Sequence, residues 1–293
     1  MEEYYWDNQL EYLKRTRDLY YNDDYLEFLV NTVWKVSKPV HIIDFGCGFG
    51  YLGLKLLPLL PKGSKYTGID KGQKLINKAK EYFLNLPYET EFLVADTNQI
   101  ELENKYDIAV CHAFLLHLSE PKEMLQRMVN SIVNNGKIIC FEPHWISGMA
   151  SYELETCKQS QIVPLGVLQK LFEERTNNTG RDGNIGVKVP QYLSELGVKN
   201  IECRVSDKVN FLHPEKSQLD KQKLYYSLKE EGVGGIPGDK DLFIENMIQR
   251  GISSKEAHVQ FEAELLFSQV FNMDSSLIYA PNMKITFGEK STL

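Results

Sequence analysis

The chain has 293 residues, 43% of them hydrophobic and 25% charged, with a net charge of −7 at pH 7. That size fits one large domain or two small ones, with enough apolar content for a proper core. The acidic balance, with Lys and Arg scattered in no long run, disfavours a nucleic-acid partner, and no apolar stretch approaches a membrane-spanning length. The first residues, Met1-Glu2-Glu3-Tyr4-Tyr5-Trp6-Asp7, lack the basic and apolar regions of a signal peptide, so a cytoplasmic location is expected. The five cysteines, Cys47, Cys111, Cys140, Cys157 and Cys203, form no Cys-x-x-Cys pair and are expected as reduced thiols. His112 and His117 lack metal-site spacing, and no metal is expected.

Residues 4–36 carry two helical patterns, Leu10, Leu13, Arg17 and then Tyr25, Phe28, Leu29, Val33, Trp34, with Asp23 and Asp24 as capping candidates. Pro39 leads into a short β-branched run at Val40, Ile42 and Ile43, the pattern of a strand buried on both faces. A Gly-rich turn and a helix over about 50–59 follow, closed by Pro61 and Gly63. Strands are expected at 65–70, 91–96, 106–112 and 137–143. Between them, Leu75, Ile76, Ala79, Tyr82, Phe83 and Leu86 mark one helix. Met124, Leu125, Met128, Val129, Ile132 and Val133 mark another, closed by Asn135-Gly136. Strands alternating with amphipathic helices argue a parallel α/β sheet covered on both faces. Asp44, Asp70, Asp96, His112 and Glu142 all fall at carboxyl ends of strands, where such sheets bind ligands.

The alternation then breaks. A helical stretch around Leu165, Leu168 and Phe172 runs into the Gly-rich loop 177–186, followed by a short helix from Pro190 and a sixth strand at about 199–212. Residues 215–274 read as a second helical insertion, and 276–287 as a last strand interrupted near Pro281. The reading is one domain: N-terminal helices 1–38, a core of 39–145, 188–212 and 276–288, and helical cap insertions 146–187 and 213–275.

Gly46, Gly48 and Gly50 make G-x-G-x-G behind Asp44, and position 51, where the dinucleotide fingerprint needs its third Gly, is Tyr. Glycines there let backbone approach a ligand, and the turn is expected to deliver backbone N–H groups to it. Asp44-Phe45-Gly46-Cys47-Gly48-Phe49-Gly50, the acids Asp70 and Asp96, the stretch from Cys111 to Leu118 and the turn Asn135-Gly136-Lys137 resemble the class I S-adenosylmethionine-dependent methyltransferases of the small-molecule type, akin to the ubiquinone-biosynthesis group. The resemblance covers roughly residues 25–145, 190–212 and 277–288. It implies a Rossmann-like, seven-stranded, mostly parallel sheet, with one antiparallel strand from the last hairpin.

It also implies S-adenosyl-L-methionine as cofactor and a small-molecule methyl acceptor as partner; a homodimer is compatible with the sequence but not required by it. Asp70 would meet the ribose diol, Asp96 the adenine amine, and Asp44 the turn amides or the cofactor's amino group. Gly46, Cys47 and Gly48 would face the amino-acid tail, with Lys71, Thr97, His112 and Tyr21 completing the cofactor set. Methyl transfer needs alignment and exclusion of water more than a base; His112, Glu142 and His144 are the base candidates. Tyr20 and Tyr21 are expected as a lid, the loop 181–186 as a second lid or an ordinary connection, and His117 as a packing residue. An Asn/Asp-Pro-Pro-aromatic tetrapeptide after the fourth strand, which marks nucleic-acid amino-methyltransferases, is absent. The rival readings are a nicotinamide-dependent oxidoreductase and a cofactor-binding module without catalysis.

Overall fold

The computed structural model describes residues 4–102 and 105–291. Its strands are β1 (His41–Phe45), β2 (Lys65–Asp70), β3 (Glu89–Val94), β4 (Tyr106–His112), β5 (Ile132–Pro143), β6 (Glu153–Leu154), β7 (Lys199–Val205), β8 (Asn210–Leu212), β9 (Leu277–Tyr279) and β10 (Met283–Glu289). Seven form one sheet in the order β3-β2-β1-β4-β5-β10-β7. All neighbours from β3 to β5 run parallel, and β10 lies antiparallel between β5 and β7. This is the mostly parallel, Rossmann-like sheet that the alternation and the resemblance imply.

β1 is central because it is apolar on both sides. Side chains alternate across a strand, so Ile42 packs with Leu52, Leu56 and Tyr66, while Ile43 and Phe45 pack with Leu125, Met128 and Leu193 on the other face. Each of these three is at most 1% exposed, and burying such a side chain is worth about 1.5–3 kcal/mol.

The helices are α1 (Leu10–Arg17), α2 (Asp23–Phe28), α3 (Tyr51–Leu56), α4 (Gln73–Phe83), α5 (Pro121–Ser131), α6 (Trp145–Met149), α7 (Gln159–Ile162), α8 (Leu165–Thr179), α9 (Val189–Glu195), α10 (Gln218–Glu230), α11 (Lys240–Gln249) and α12 (Ser254–Val270). The second N-terminal helix continues past α2 as a π-helical turn, Leu29–Val33, and Phe28, expected on its inner face, is 45% exposed. The third strand ends at Val94, two residues before Asp96, so Asp96 sits in the following turn.

The helix before β5 is shorter than its apolar spacing predicts. Ile132 and Val133 open β5 and do not close α5, and Asn135 takes φ +61° within the strand rather than capping the helix. Two partners pull the stretch into the sheet: Ile132 pairs with Tyr106 of β4, and Asn135 and Gly136 exchange backbone hydrogen bonds with Lys290. Tertiary pairing of β-branched residues here outweighs helical periodicity.

The predicted sixth and last strands each divide between two sheets. β7 and β10 stay in the main sheet, while β8 and β9 turn out of it and pair with each other and β6 as a small antiparallel sheet, β6-β9-β8. Ser206 fastens the corner: its hydroxyl donates to the Pro281 carbonyl and accepts from the Met283 amide. Around the small sheet, Tyr152, Leu154, Leu212, Leu228, Phe267, Leu277 and Tyr279 form a core with Leu19 from the N-terminal segment. Val167, Met247, Ile252 and Ala257 join α8 to α11 and α12. The ion pairs Lys170–Glu256 and Arg250–Glu174 tie the same helices at the surface.

Candidate active site

The turn between β1 and α3 uses its amides internally. The Gly46 and Cys47 N–H groups both donate to the Ile69 carbonyl, Gly48 N–H donates to Asp70 Oδ2 at 2.9 Å, and Gly50 N–H to the Cys47 carbonyl. The expectation that the turn offers these amides to a ligand is therefore corrected; the tight turn needs them for its own closure. Asp44 does not orient them either. Its Oδ2 accepts from the Tyr66 hydroxyl at 2.5 Å, and its Oδ1 is buried without a partner. Burial pushes the Asp44 carboxyl up to about 7, with Tyr66 pulling the other way. Asp70 accepts from Gly48 and Gly72, but burial outweighs both amides and raises its pKa.

These groups face a cavity of about 640 Å³ at the carboxyl ends of β1, β2 and β4. One side is acidic, formed by Asp44, Asp70 and Asp96. Asp96 is tied to Lys71 at 2.8 Å and accepts from the Asn98 amide; burial raises its pKa, and these two partners bring it below the ordinary carboxylate value. Arg127 of α5 holds that edge in place by donating to the carbonyls of Thr97 and Ile100.

The other side is basic and aromatic, lined by Arg17, His112, His117, Arg175, Arg181 and Trp6. His112 is 7% exposed, and its Nε2 is buried with no partner. Burial first, then the Arg17 charge, lowers its pKa far below the usual imidazole value, so it is neutral near pH 7. His117 packs tilted against Trp6, ring centroids 4.8 Å apart, and is pushed down to about 4 by burial and by Arg17, Arg175 and Arg181. The N-terminal segment covers the cavity with Tyr4, Tyr5 and Trp6. Asp7 fastens it by accepting from the Lys74 and Leu75 amides at the start of α4.

Asp44, Gly46, Cys47, Gly48, Asp70, Lys71, Asp96, Thr97 and His112 all line this cavity. Tyr21, Glu142 and His144 are not among its lining residues. Tyr21 is core, edge-on to His112 and Phe141, with its hydroxyl buried and unpartnered; Tyr20 is core too, donating to Glu231 at 2.6 Å. Neither is a lid. Glu142 is fully buried behind β4, where Oε1 accepts from the Phe114 and Leu115 amides and fixes the turn after His112. Burial pushes its carboxyl up to about 7 against those amides. His144 bonds to Ser147, and burial with Lys284 lowers its pKa.

The loop 181–186 is packed down rather than open: Asp182 is buried and paired to Lys188, and Gly183 and Gly186 lie against Phe172 and the Glu142 carbonyl. A second cleft, about 580 Å³, lies at the opposite end of the sheet among His41, Lys65, Glu89 and Asp107. It has neither the glycine turn nor a helix start. Among the described residues no group of three or more His, Cys, Asp or Glu is arranged to hold a metal, and no helix is long and apolar enough to cross a membrane.

A doubly covered parallel sheet, a glycine turn after its first strand, an acid ending the second and another just past the third make the arrangement that the resemblance to class I S-adenosylmethionine-dependent methyltransferases implies. Comparison with known proteins agrees: residues 43–138 match the family described as a methyltransferase domain. Over 104 residues the chain is 30% identical to a malonyl-acyl-carrier-protein O-methyltransferase of Anoxybacillus flavithermus, covering 36% of this chain and 39% of that protein. It is 31% identical over 104 residues to a ubiquinone biosynthesis O-methyltransferase of Colwellia psychrerythraea, covering 35% and 41%. The match thus spans about two fifths of these relatives' length. Among solved structures, the YcgJ protein of Bacillus subtilis aligns with a TM-score of 0.50 at 13% identity, covering 92% of this chain and 100% of that one. The cyclase SpnF aligns at 0.51 with 13% identity, covering 98% and 94%. At such identities these two likenesses concern the fold alone.

Proposed function

We propose that the protein transfers a methyl group from S-adenosylmethionine to a small-molecule acceptor held in this cavity. The observation that carries the reading is Asp44, with its Oδ1 buried and unpartnered, beside Asp70 in the lining of a cavity that a side chain at Gly48 would enter: a Cβ there meets nothing nearer than Leu13 at 4.0 Å. Buried carboxylate oxygens without partners are costly, and a cationic ligand group satisfies them. The cavity lies within the few hundred to a thousand cubic ångströms usual for such ligands.

On this reading Asp70 would accept from the ribose hydroxyls, Asp96 from the adenine amine, and Asp44 from the ammonium group. Arg17 would meet the tail carboxylate, since the turn amides are already engaged. The cofactor supplies a methyl group already activated on a sulfonium. The chain's part is alignment and dryness, with Trp6, Tyr4 and Phe114 excluding water. The acceptor's lone pair would take that methyl group, with S-adenosylhomocysteine left as the other product. A hydroxyl acceptor would then release its proton to the unpartnered Nε2 of His112. That both curated relatives are named O-methyltransferases supports oxygen as the acceptor atom.

The test is calorimetric titration with S-adenosylhomocysteine and, in parallel, NADH. Binding of the first alone is expected. Binding of NADH alone would replace this reading with the oxidoreductase one, and binding of neither would remove it.

A further inference from the structure

The cavity's basic side is assembled from three distant parts of the chain: Arg17 ends α1, Arg175 lies in α8, and Arg181 follows the Gly180 turn. None of the three forms an ion pair with a described carboxylate, although acids are close in sequence. Glu174 is engaged by Arg250 and Asn178, Glu173 by Gln169, and Asp182 by Lys188. The backbone at Arg181 is held in place. Gly180 rests on the Ser119 backbone, where a Cβ would come within 2.6 Å of the carbonyl oxygen, and the Thr179 hydroxyl accepts from the Arg181 amide. Three guanidinium groups lining one cavity without an internal counter-charge, in a protein of net charge −7, suit an anionic ligand.

Resting on the methyltransferase reading, we propose that the acceptor carries a carboxylate or phosphate group, held by Arg175 and Arg181 at the outer end of the cavity. Arg17, beside the glycine turn, is left to the cofactor's tail. This anion is a handle and not the reacting atom, because pairing with two guanidinium groups would quench its nucleophilicity. The acceptor therefore bears two functions: an anion at the arginines and a separate hydroxyl or amine reaching toward His112.

His117 reports on the site, since its low pKa owes part of its depression to the same arginines. The experiment follows the His117 ring by NMR across pH in the protein saturated with S-adenosylhomocysteine, adding inorganic phosphate or benzoate against chloride at equal ionic strength. A saturable rise of the order of one pKa unit is expected with an oxyanion. Response to phosphate alone marks a phosphorylated acceptor, and response to benzoate a carboxylate. In Arg175→Gln/Arg181→Gln the pKa should already be raised and the anion response lost, while Lys at both positions restores it. No response to either anion, or the same response in the Gln variant, overturns the proposal. If S-adenosylhomocysteine itself does not bind, the cofactor reading falls, and the anion titration is still decided on the ligand-free protein.

Discussion

Gly46 and Gly48 after β1 are required for different reasons, which a motif alone does not separate. Gly46 and Gly48 both take positive φ, +69° and +55°, where an L side chain costs about 1–2 kcal/mol. At Gly46 a methyl group would also collide with the Phe114 ring, whereas at Gly48 it would enter open space. Gly46→Ala is therefore expected to lose about 3 kcal/mol of stability and Gly48→Ala about 1 kcal/mol. Gly48→Ala should keep its fold but bind S-adenosylhomocysteine weakly. Denaturant melts with calorimetry check this, and equal stability losses would show that Phe114 does not dictate Gly46. The acids of the site were legible in the sequence because strand-end position is a local property. Arg175, Arg181 and Trp6 were not, because nothing in residue spacing says that a loop near 180 and a turn near 6 meet the end of β1.

At the level of elements, the N-terminal turn does what was expected of Tyr20 and Tyr21. Tyr5–Asn8 lies over the cavity because Asp7 caps α4, a helix whose N-cap position is Gly72 and which has no capping side chain of its own. A carboxylate there meets two unpaired amides and the positive end of the helix. Asp7→Ala should cost about 1 kcal/mol locally. Amide exchange across residues 5–9 should speed up, and S-adenosylhomocysteine should dissociate faster. Unchanged exchange would mean that apolar contacts of Trp6 alone hold the cover. The tyrosines were misjudged from sequence because amphipathic rings suit both a lid and a core; only packing against His112, Phe141 and Glu231 decides between them. The split of the last strands was equally hidden, since a corner between two sheets leaves a sequence trace no different from an interrupted strand.

Across the whole molecule, the N-terminal segment and the second helical insertion share a buried polar contact beside their apolar core. Tyr20 donates to Glu231, just past α10, and Glu231 Oε2 is buried without a partner. Burial pushes the Glu231 carboxyl up to about 7, against the opposing effects of Tyr20 and Arg17. A carboxyl whose pKa is raised by folding holds its proton longer in the native state. Its contribution to stability is therefore present below its unfolded value and is lost as pH rises from about 4.5 to about 7. Asp44 and Glu142 act in the same direction, while His112 and His117, whose pKa values fall on folding, act oppositely up to about pH 6.5, so the total melting profile mixes signs. A difference measurement isolates one group. Glu231→Gln keeps an oxygen for Tyr20 and removes the titration. Whatever its constant offset, the variant should gain up to about 3 kcal/mol relative to the parent between pH 4.5 and pH 8. Paired urea melts across that range read the difference directly. A difference that stays flat with pH would mean that Glu231 titrates at its ordinary value, and that water reaches the seam between the N-terminal segment and α10.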